Sequence, residues 1–166
     1  IAQIVQEALQ SSAPEILEIG PGRGALTQAL LQDGRSVHAI EMDPEHRQYL
    51  ETTFQSVKHF KVHQGDALSL PIPSRGPFTV VGNLPYNIST PILFHLLDAV
   101  AVIEDQHFML QKEVVDRMVA KPCSLKAWAC HLLVKTSWRH PSPCKLEGML
   151  VQTGVSPTDQ GQAAPL

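Results

Sequence analysis

The spacing of apolar residues changes several times along the chain, and each change predicts an element. Ile1, Ile4, Val5, Ala8 and Leu9 recur at helical spacing, which predicts an amphipathic helix at the start. Glu15–Ile19 is a short apolar run ending in glycines, the pattern of a buried strand. Gly24–Gln32 returns to helical spacing, with Leu26, Ala29 and Leu30 on one side. Ser36–Ile40 predicts a second strand and Pro44–Phe54 a second helix. Val57–His63 and Phe78–Val81 predict the third and fourth strands. Pro91–Val102 carries the apolar stripe Ile92, Leu93, Leu96 and Leu97 of a helix. Gln106–Leu110 is a fifth strand and Lys112–Val119 a further helix. Strands alternating with helices imply crossover connections, hence an α/β fold with a doubly wound, Rossmann-like parallel sheet. No internal repeat is present.

From about Pro122 the periodicity fades. Pro141, Pro143 and Pro157 arrive among Ser, Thr, Gly and Gln, and Ser156–Leu166 reads as disordered. The pattern divides the chain into a domain over residues 1–121 and a loosely structured tail over 122–166. At the other end, Ile1 stands without a Met inside a helical pattern, so the N-terminus reads as trimmed.

Composition narrows the function classes. A chain of 166 residues suits one domain that buries its own core. A net charge of -3 argues against a freestanding nucleic-acid binder, though not against an enzyme that gains RNA affinity from another domain. The cysteines, Cys123, Cys130 and Cys144, are odd in number and form no CxxC pair. They predict neither a disulfide framework nor a zinc site, and they fit a reducing, cytoplasmic compartment. His59 and His63 fall on one face of the expected third strand without an acidic or thiol partner, so no metal is expected. No apolar run approaches the ~20 residues of a membrane span, and no signal peptide opens the chain. A monomer is expected.

The candidate chemistry begins at Glu18-Ile19-Gly20-Pro21-Gly22-Arg23-Gly24, between a strand and a helix. Glycines there permit a tight turn and a close approach of backbone to a ligand. The spacing is not the GxGxxG of a dinucleotide loop, because the third glycine comes one residue early. Glu18 also suits a ligand bearing an ammonium group better than one bearing a phosphate. Glu41, at the end of the second strand, can accept both hydroxyls of an adenosine ribose, and on that ground serves NAD and S-adenosylmethionine equally. Asp43 reads as the N-cap of the helix opened by Pro44. Asp66, after the third strand, can accept the exocyclic amine of an adenine or simply close an Asx turn.

Asn83-Leu84-Pro85-Tyr86 follows the fourth strand, whose end faces the crevice of such a sheet. Read structurally it is a proline turn. Read chemically it suits transfer of a methyl group to a base amine. The Asn83 amide oxygen and the Pro85 carbonyl can accept the hydrogens of an exocyclic amine and free its lone pair. Tyr86 can stack on the base. A dehydrogenase has no use for such a motif.

Together these stretches resemble the ribosomal RNA adenine N6,N6-dimethyltransferases. The resemblance is carried by Leu17–Thr27, Glu41-Met42-Asp43, Gly65-Asp66-Ala67-Leu68, Val81–Pro91 and Phe108–Val114, and covers Ile1 to about Pro122. Asn-Leu-Pro-Tyr-Asn-Ile-Ser-Thr-Pro resembles the bacterial small-subunit branch more than the branch that confers antibiotic resistance. The resemblance implies a class I S-adenosylmethionine-dependent fold with strand order 3-2-1-4-5. It implies S-adenosyl-L-methionine as cofactor and small-subunit ribosomal RNA as partner. Glu18, Gly20, Gly22, Glu41, Met42, Asp66, Ala67 and Asn83 are the implied cofactor residues, and Asn83, Pro85 and Tyr86 the implied catalytic ones.

The chain departs from the family in lacking its opening Gly-Gln-x-Phe segment and, after Pro122, its Lys-Pro-Gly-Ser-Lys-x-Tyr-Gly-Arg-Leu continuation and helical RNA-binding domain. These departures predict a sheet incomplete at its C-terminal strands, with no pairing after residue 130. They also raise a competing reading: a frame-shifted or truncated copy that binds cofactor or a partner without turning over. Leu125–Cys130 can be encoded so that the neighbouring frame gives Ser-Lys-His-Gly-Arg-Val, close to the family pattern.

Overall fold

The computed structural model describes residues 1–69, 75–119 and 150–152. The proposed tail of residues 122–166, with its frame-shift reading, lies almost wholly outside the described residues. The chain opens with helix α1 (Ala2–Ala8), strand β1 (Glu15–Ile19) and helix α2 (Ala25–Leu30), then β2 (Ser36–Glu41) and α3 (Pro44–Thr53). Next come β3 (Phe60–Gln64), β4 (Phe78–Asn83), α4 (Tyr86–Leu97), β5 (Ile103–Gln111), α5 (Lys112–Val119) and β6 (Leu150–Gln152). The strands form one sheet in the order β3-β2-β1-β4-β5-β6, and every pairing is parallel. The first five follow the expected order. The chain runs outward from β1 in both directions, so a crevice opens at the carboxyl ends of β1 and β4.

The sixth strand corrects the expectation of no pairing after residue 130. Leu150, Val151 and Gln152 pair with Met109, Leu110 and Gln111. The outer edge of β5 offers unpaired backbone groups, and an apolar pair such as Leu150-Val151 suits such an edge.

Two apolar clusters cover the sheet. On one face Ile4 and Ala8 of α1 and Leu26 and Leu30 of α2 pack on Ile16, Val37, Val81 and Met109. On the other, Ile92 and Leu96 of α4 and Val114 and Val115 of α5 pack on Leu17, Ile19, Ile40, Val80, Phe108 and Leu110.

Local chemistry fixes the ends of the elements. Asp43 caps α3 as expected: its carboxylate accepts the Glu45 N–H at 2.8 Å, with Pro44 in the first turn. α2 is shorter than predicted. It tightens into a 3-10 turn over Leu31–Asp33, and Gly34 stops it at φ 82°. α4 starts at Tyr86, five residues before the expected Pro91, because the Pro85 carbonyl already accepts helical bonds from Ile88 and Ser89. Pro91 therefore lies inside the helix. β3 begins at Phe60, after a turn in which the Phe60 N–H donates to Val57. β2 and β4 each run further than predicted, and so carry Glu41 and Asn83 as their last residues.

Candidate active site

β1 delivers the glycine loop to the crevice. Gly20, Gly22 and Gly24 all have positive φ, at 66°, 56° and 79°, which side-chain-bearing residues adopt only at a cost. Around Gly20 and Gly22 a Cβ would meet nothing within 4 Å, so the loop borders open space. The loop is held from beside: the Gly20 N–H donates to the Ile40 carbonyl at 3.0 Å, and the Gly22 N–H donates to Glu41 Oε2 at 2.9 Å.

Glu41 is the hub of the crevice. Its second oxygen, Oε1, accepts the Asp43 N–H at 2.9 Å, and its carbonyl accepts the Gly65 N–H at 2.9 Å. One residue thus ties together the loops after β1, β2 and β3. Only 7% of its surface is exposed. Each carboxylate oxygen accepts more than one hydrogen bond, so acceptor capacity remains for a ligand's hydroxyls.

Glu18 lies beneath the loop, 1% exposed. The Thr27 hydroxyl donates to its Oε2 at 2.7 Å, while Oε1 is buried with no partner among the described residues. Burial pushes its pKa up to about 7; the hydrogen bonds from Thr27 pull the other way, and the nearby Glu41 charge adds to the rise. An unpaired, fully buried carboxylate oxygen is costly and accommodates a cationic group placed beside it.

Asp66 forms an Asx turn: its Oδ1 accepts the Leu68 N–H at 2.9 Å. Its side chain is exposed at the crevice side of β3, and Ala67 packs against the α4/α5 cluster. Met42 stands 70% exposed beside Glu41.

β4 brings in the second half of the site. Ile19 pairs with Gly82, so the glycine loop and Asn83 leave neighbouring strands at the same height. Gly82 permits this closeness, since a Cβ there would lie 2.9 Å from the Ile19 carbonyl oxygen. Leu84 is buried, and its N–H donates to the Met109 carbonyl at 3.2 Å. Asn83, Pro85 and Tyr86 are exposed, Tyr86 by 47%. The Pro85 carbonyl differs from the sequence reading. It accepts the Ile88 N–H at 3.2 Å, the Ser89 N–H at 3.1 Å and the Ser89 hydroxyl at 2.8 Å. The helix occupies that oxygen. The Leu84 carbonyl accepts only a long 3.4 Å contact from the Ser89 hydroxyl among the described residues.

The sequence therefore missed three supports: Thr27 under Glu18, Ser89 behind the Pro85 turn, and the Leu84 carbonyl. The helical phase of Thr27, adjacent to Leu26 and one turn before Leu30, was the available signal for the first. The placing of both His59 and His63 within the third strand is also corrected. His59 precedes β3, and His63 instead stacks on His38 with ring centroids 5.7 Å apart. Among the described residues no group of three or more His, Cys, Asp or Glu side chains is placed to hold a metal ion. No helix among them is long and apolar enough to cross a membrane.

The chain is similar to Ribosomal RNA small subunit methyltransferase A of Methylococcus capsulatus, with 48% identity over 124 residues, covering 70% of this chain and 48% of that protein. It thus spans about half the length of the curated relatives it matches. Among solved structures it resembles a dimethyladenosine transferase from Plasmodium falciparum, with TM-score 0.67 and 28% identity over 80% of this chain and 48% of that one. It also resembles the 23S rRNA methyltransferase ErmE, with TM-score 0.62 and 30% identity over 70% of this chain and 48% of that one. The family model described as Ribosomal RNA adenine dimethylase matches residues 1–139, beyond the Pro122 at which the recognisable motifs end. The chain belongs to the ribosomal RNA adenine dimethylase family.

Proposed function

We propose that this chain is the cofactor-binding and catalytic part of an enzyme that transfers methyl groups from S-adenosyl-L-methionine to the N6 amines of adenines in ribosomal RNA. Small-subunit RNA is the proposed substrate, and a cytoplasmic monomer the proposed form. Residues 1–121 are the proposed methyltransferase domain and 122–166 the proposed tail, from which β6 joins the sheet. The observation that carries the reading is the meeting of two half-sites on the paired ends of β1 and β4: a glycine loop with acidic neighbours, and Asn83-Leu84-Pro85-Tyr86.

The cofactor fits the first half-site on structural grounds. Gly20 and Gly22 border open space, Glu41 keeps acceptor capacity for ribose hydroxyls, and Oε1 of Glu18 is an orphaned acceptor beneath the loop. Met42 and Ala67 offer apolar surface to an adenine, and Asp66 a carboxylate to its amine. When bound, S-adenosylmethionine supplies an electrophilic methyl on a sulfonium centre.

The second half-site acts on the base. The amine of adenine is a poor nucleophile because its lone pair is delocalised into the ring. Acceptors on its N–H bonds draw it toward a pyramidal geometry and expose the lone pair. Asn83 supplies the amide oxygen. With the Pro85 oxygen held by Ser89, the backbone acceptor we assign is Leu84, and Pro85 serves to fix the turn. Tyr86 stacks on the base. The methylated amine then loses its proton to water, and no strong base is needed. The contribution of the protein is orientation and electrostatics.

Asn83→Ala tests this. Asn83 is also an implied cofactor residue, so calorimetry is expected to show some loss of cofactor affinity, but one far smaller than the fall of two orders of magnitude or more in transfer of labelled methyl to small ribosomal particles. A variant that binds cofactor poorly yet methylates at the normal rate rules the assignment out. Wild-type chain that binds cofactor but transfers no methyl favours the non-catalytic reading.

A further inference from the structure

Among the described residues, no helix covers the β3 end of the sheet face under α4 and α5. Leu17, Ile19, Ile40 and Val80 lie beneath the two helices. Toward β3 the cover ends, because the connection from β3 to β4 contains no helix among its described residues. Parallel sheets are usually apolar on both faces, and this strip is polar. His38 stands in register beside Lys61, and Glu15 beside Ser36. Alternation along the strands puts His63 on the same face, where its ring stacks on that of His38. Lys58 and His59, just before β3, and Arg75, just before β4, line the same groove.

The charge of this groove opposes that of the whole chain. Lys58, Lys61 and Arg75 line it against the single carboxylate of Glu15, in a chain of net charge -3. All three cations are exposed. Its apolar floor, Phe78, is 2% exposed, so no aromatic anchor is open to a protein partner. Cations and imidazole N–H donors along a polar strip suit a string of phosphates, which need no apolar anchor.

We propose that the groove at the amino ends of β2, β3 and β4 binds the phosphodiester backbone of RNA, as a second contact at the end of the sheet opposite the crevice. The proposal rests on the RNA-directed reading of the crevice. A ribosomal RNA is long enough to touch both ends of a domain. Contacts to phosphate position it without reading sequence, while the base enters the crevice.

The test is the salt dependence of affinity for a fluorescein-labelled RNA hairpin. It compares the full wild-type chain with the triple variant Lys58→Gln, Lys61→Gln, Arg75→Gln. Each phosphate contact contributes about 0.7 to 0.9 to the slope of log affinity against log salt. The triple variant is expected to lose about 2 to 3 from that slope. It should keep its cofactor affinity and its thermal midpoint. If it fails to fold, Lys58→Gln and Lys61→Gln singly carry the same test, each expected to remove about one unit. An unchanged slope overturns the groove, as does a wild-type chain that binds polyglutamate as tightly as RNA or shows no salt-dependent RNA affinity. The crevice is judged apart, by turnover in Asn83→Ala. Loss of turnover there with the slope of the triple variant intact removes the groove alone. Unchanged turnover with a reduced slope removes the crevice reading and leaves the groove.

Discussion

Charge on the Glu18 carboxyl is costly where it lies, because burial has removed its water and one oxygen has no donor. Its pKa is raised from the ordinary 4.5 to about 7 in the folded chain, so folding opposes its ionisation. Below the unfolded value both states hold the proton. As pH rises toward 7 the unfolded state releases it first, so stability falls, by about 3 kcal/mol in all, and levels off above the folded pKa. Glu18→Gln keeps an acceptor for Thr27 and cannot ionise. Urea titrations from about pH 5 to 8 are expected to show its advantage over wild type growing with pH. Burial lowers the pKa values of His38 and His107 in both proteins, and their contribution cancels in the difference. A constant difference across that range would falsify the buried-acid account. Glu41→Ala is a different loss. It removes ligand acceptors and releases the Gly22 and Asp43 amides together, so cofactor affinity is expected to drop by about 1–3 kcal/mol, read by calorimetry. Unchanged affinity takes Glu41 out of the site. Both acids were legible in the sequence because each sits at a strand end beside a turn signal. Thr27 and Ser89 were not, because a hydroxyl shows its purpose only once a partner from another element stands next to it.

Elements were read well where apolar period was strong and poorly where hydrogen bonding at the ends decided. The core strand β1 lies where predicted, and β2, β4 and β5 contain their predicted spans and run further. The start of α4 does not, because the sequence rule that favours proline in a first turn competes with the Pro85 carbonyl, which Ser89 pulls into the helix. β6 went unseen because three residues carry no period. Packing between elements was equally hidden at Gly24, whose φ is 79°. A Cβ there would stand 2.8 Å from Leu50 Cδ2 and 2.9 Å from Phe54 Cε2, so this glycine sets how closely the start of α2 approaches α3. Gly34 has a similar φ of 82° but nothing within 4 Å. Both alanine variants meet the left-handed penalty of about 1–2 kcal/mol, and only Gly24→Ala must also displace the Leu50 and Phe54 side chains. Its urea midpoint is therefore expected to fall further, by an added 1–3 kcal/mol or so. Equal losses in the two variants refute the packing role.

At the scale of the whole molecule, the half-sites are far apart in sequence and adjacent in space. β1 and β4 pair from Glu15 opposite Phe78 to Ile19 opposite Gly82, although β2, α3 and β3 intervene. Closing that long span costs more chain entropy than the shorter closure that joins β1 to β2, so the pairing that completes the crevice belongs late in folding. If that order holds, a ligand spanning the crevice acts on contacts made after the folding transition state. Free S-adenosylmethionine at about a hundred times its Kd should stabilise the chain by about 2.7 kcal/mol, seen as a raised melting temperature that NADH does not reproduce. Stopped-flow measurements should place nearly all of that gain in slower unfolding, with the refolding rate unchanged. A refolding rate that climbs with cofactor would mean the crevice forms early. The pairing of β1 with β4 thus makes the cofactor a brake on opening rather than a template for assembly, and the lifetime of the folded chain, more than its rate of formation, should track how much cofactor is at hand.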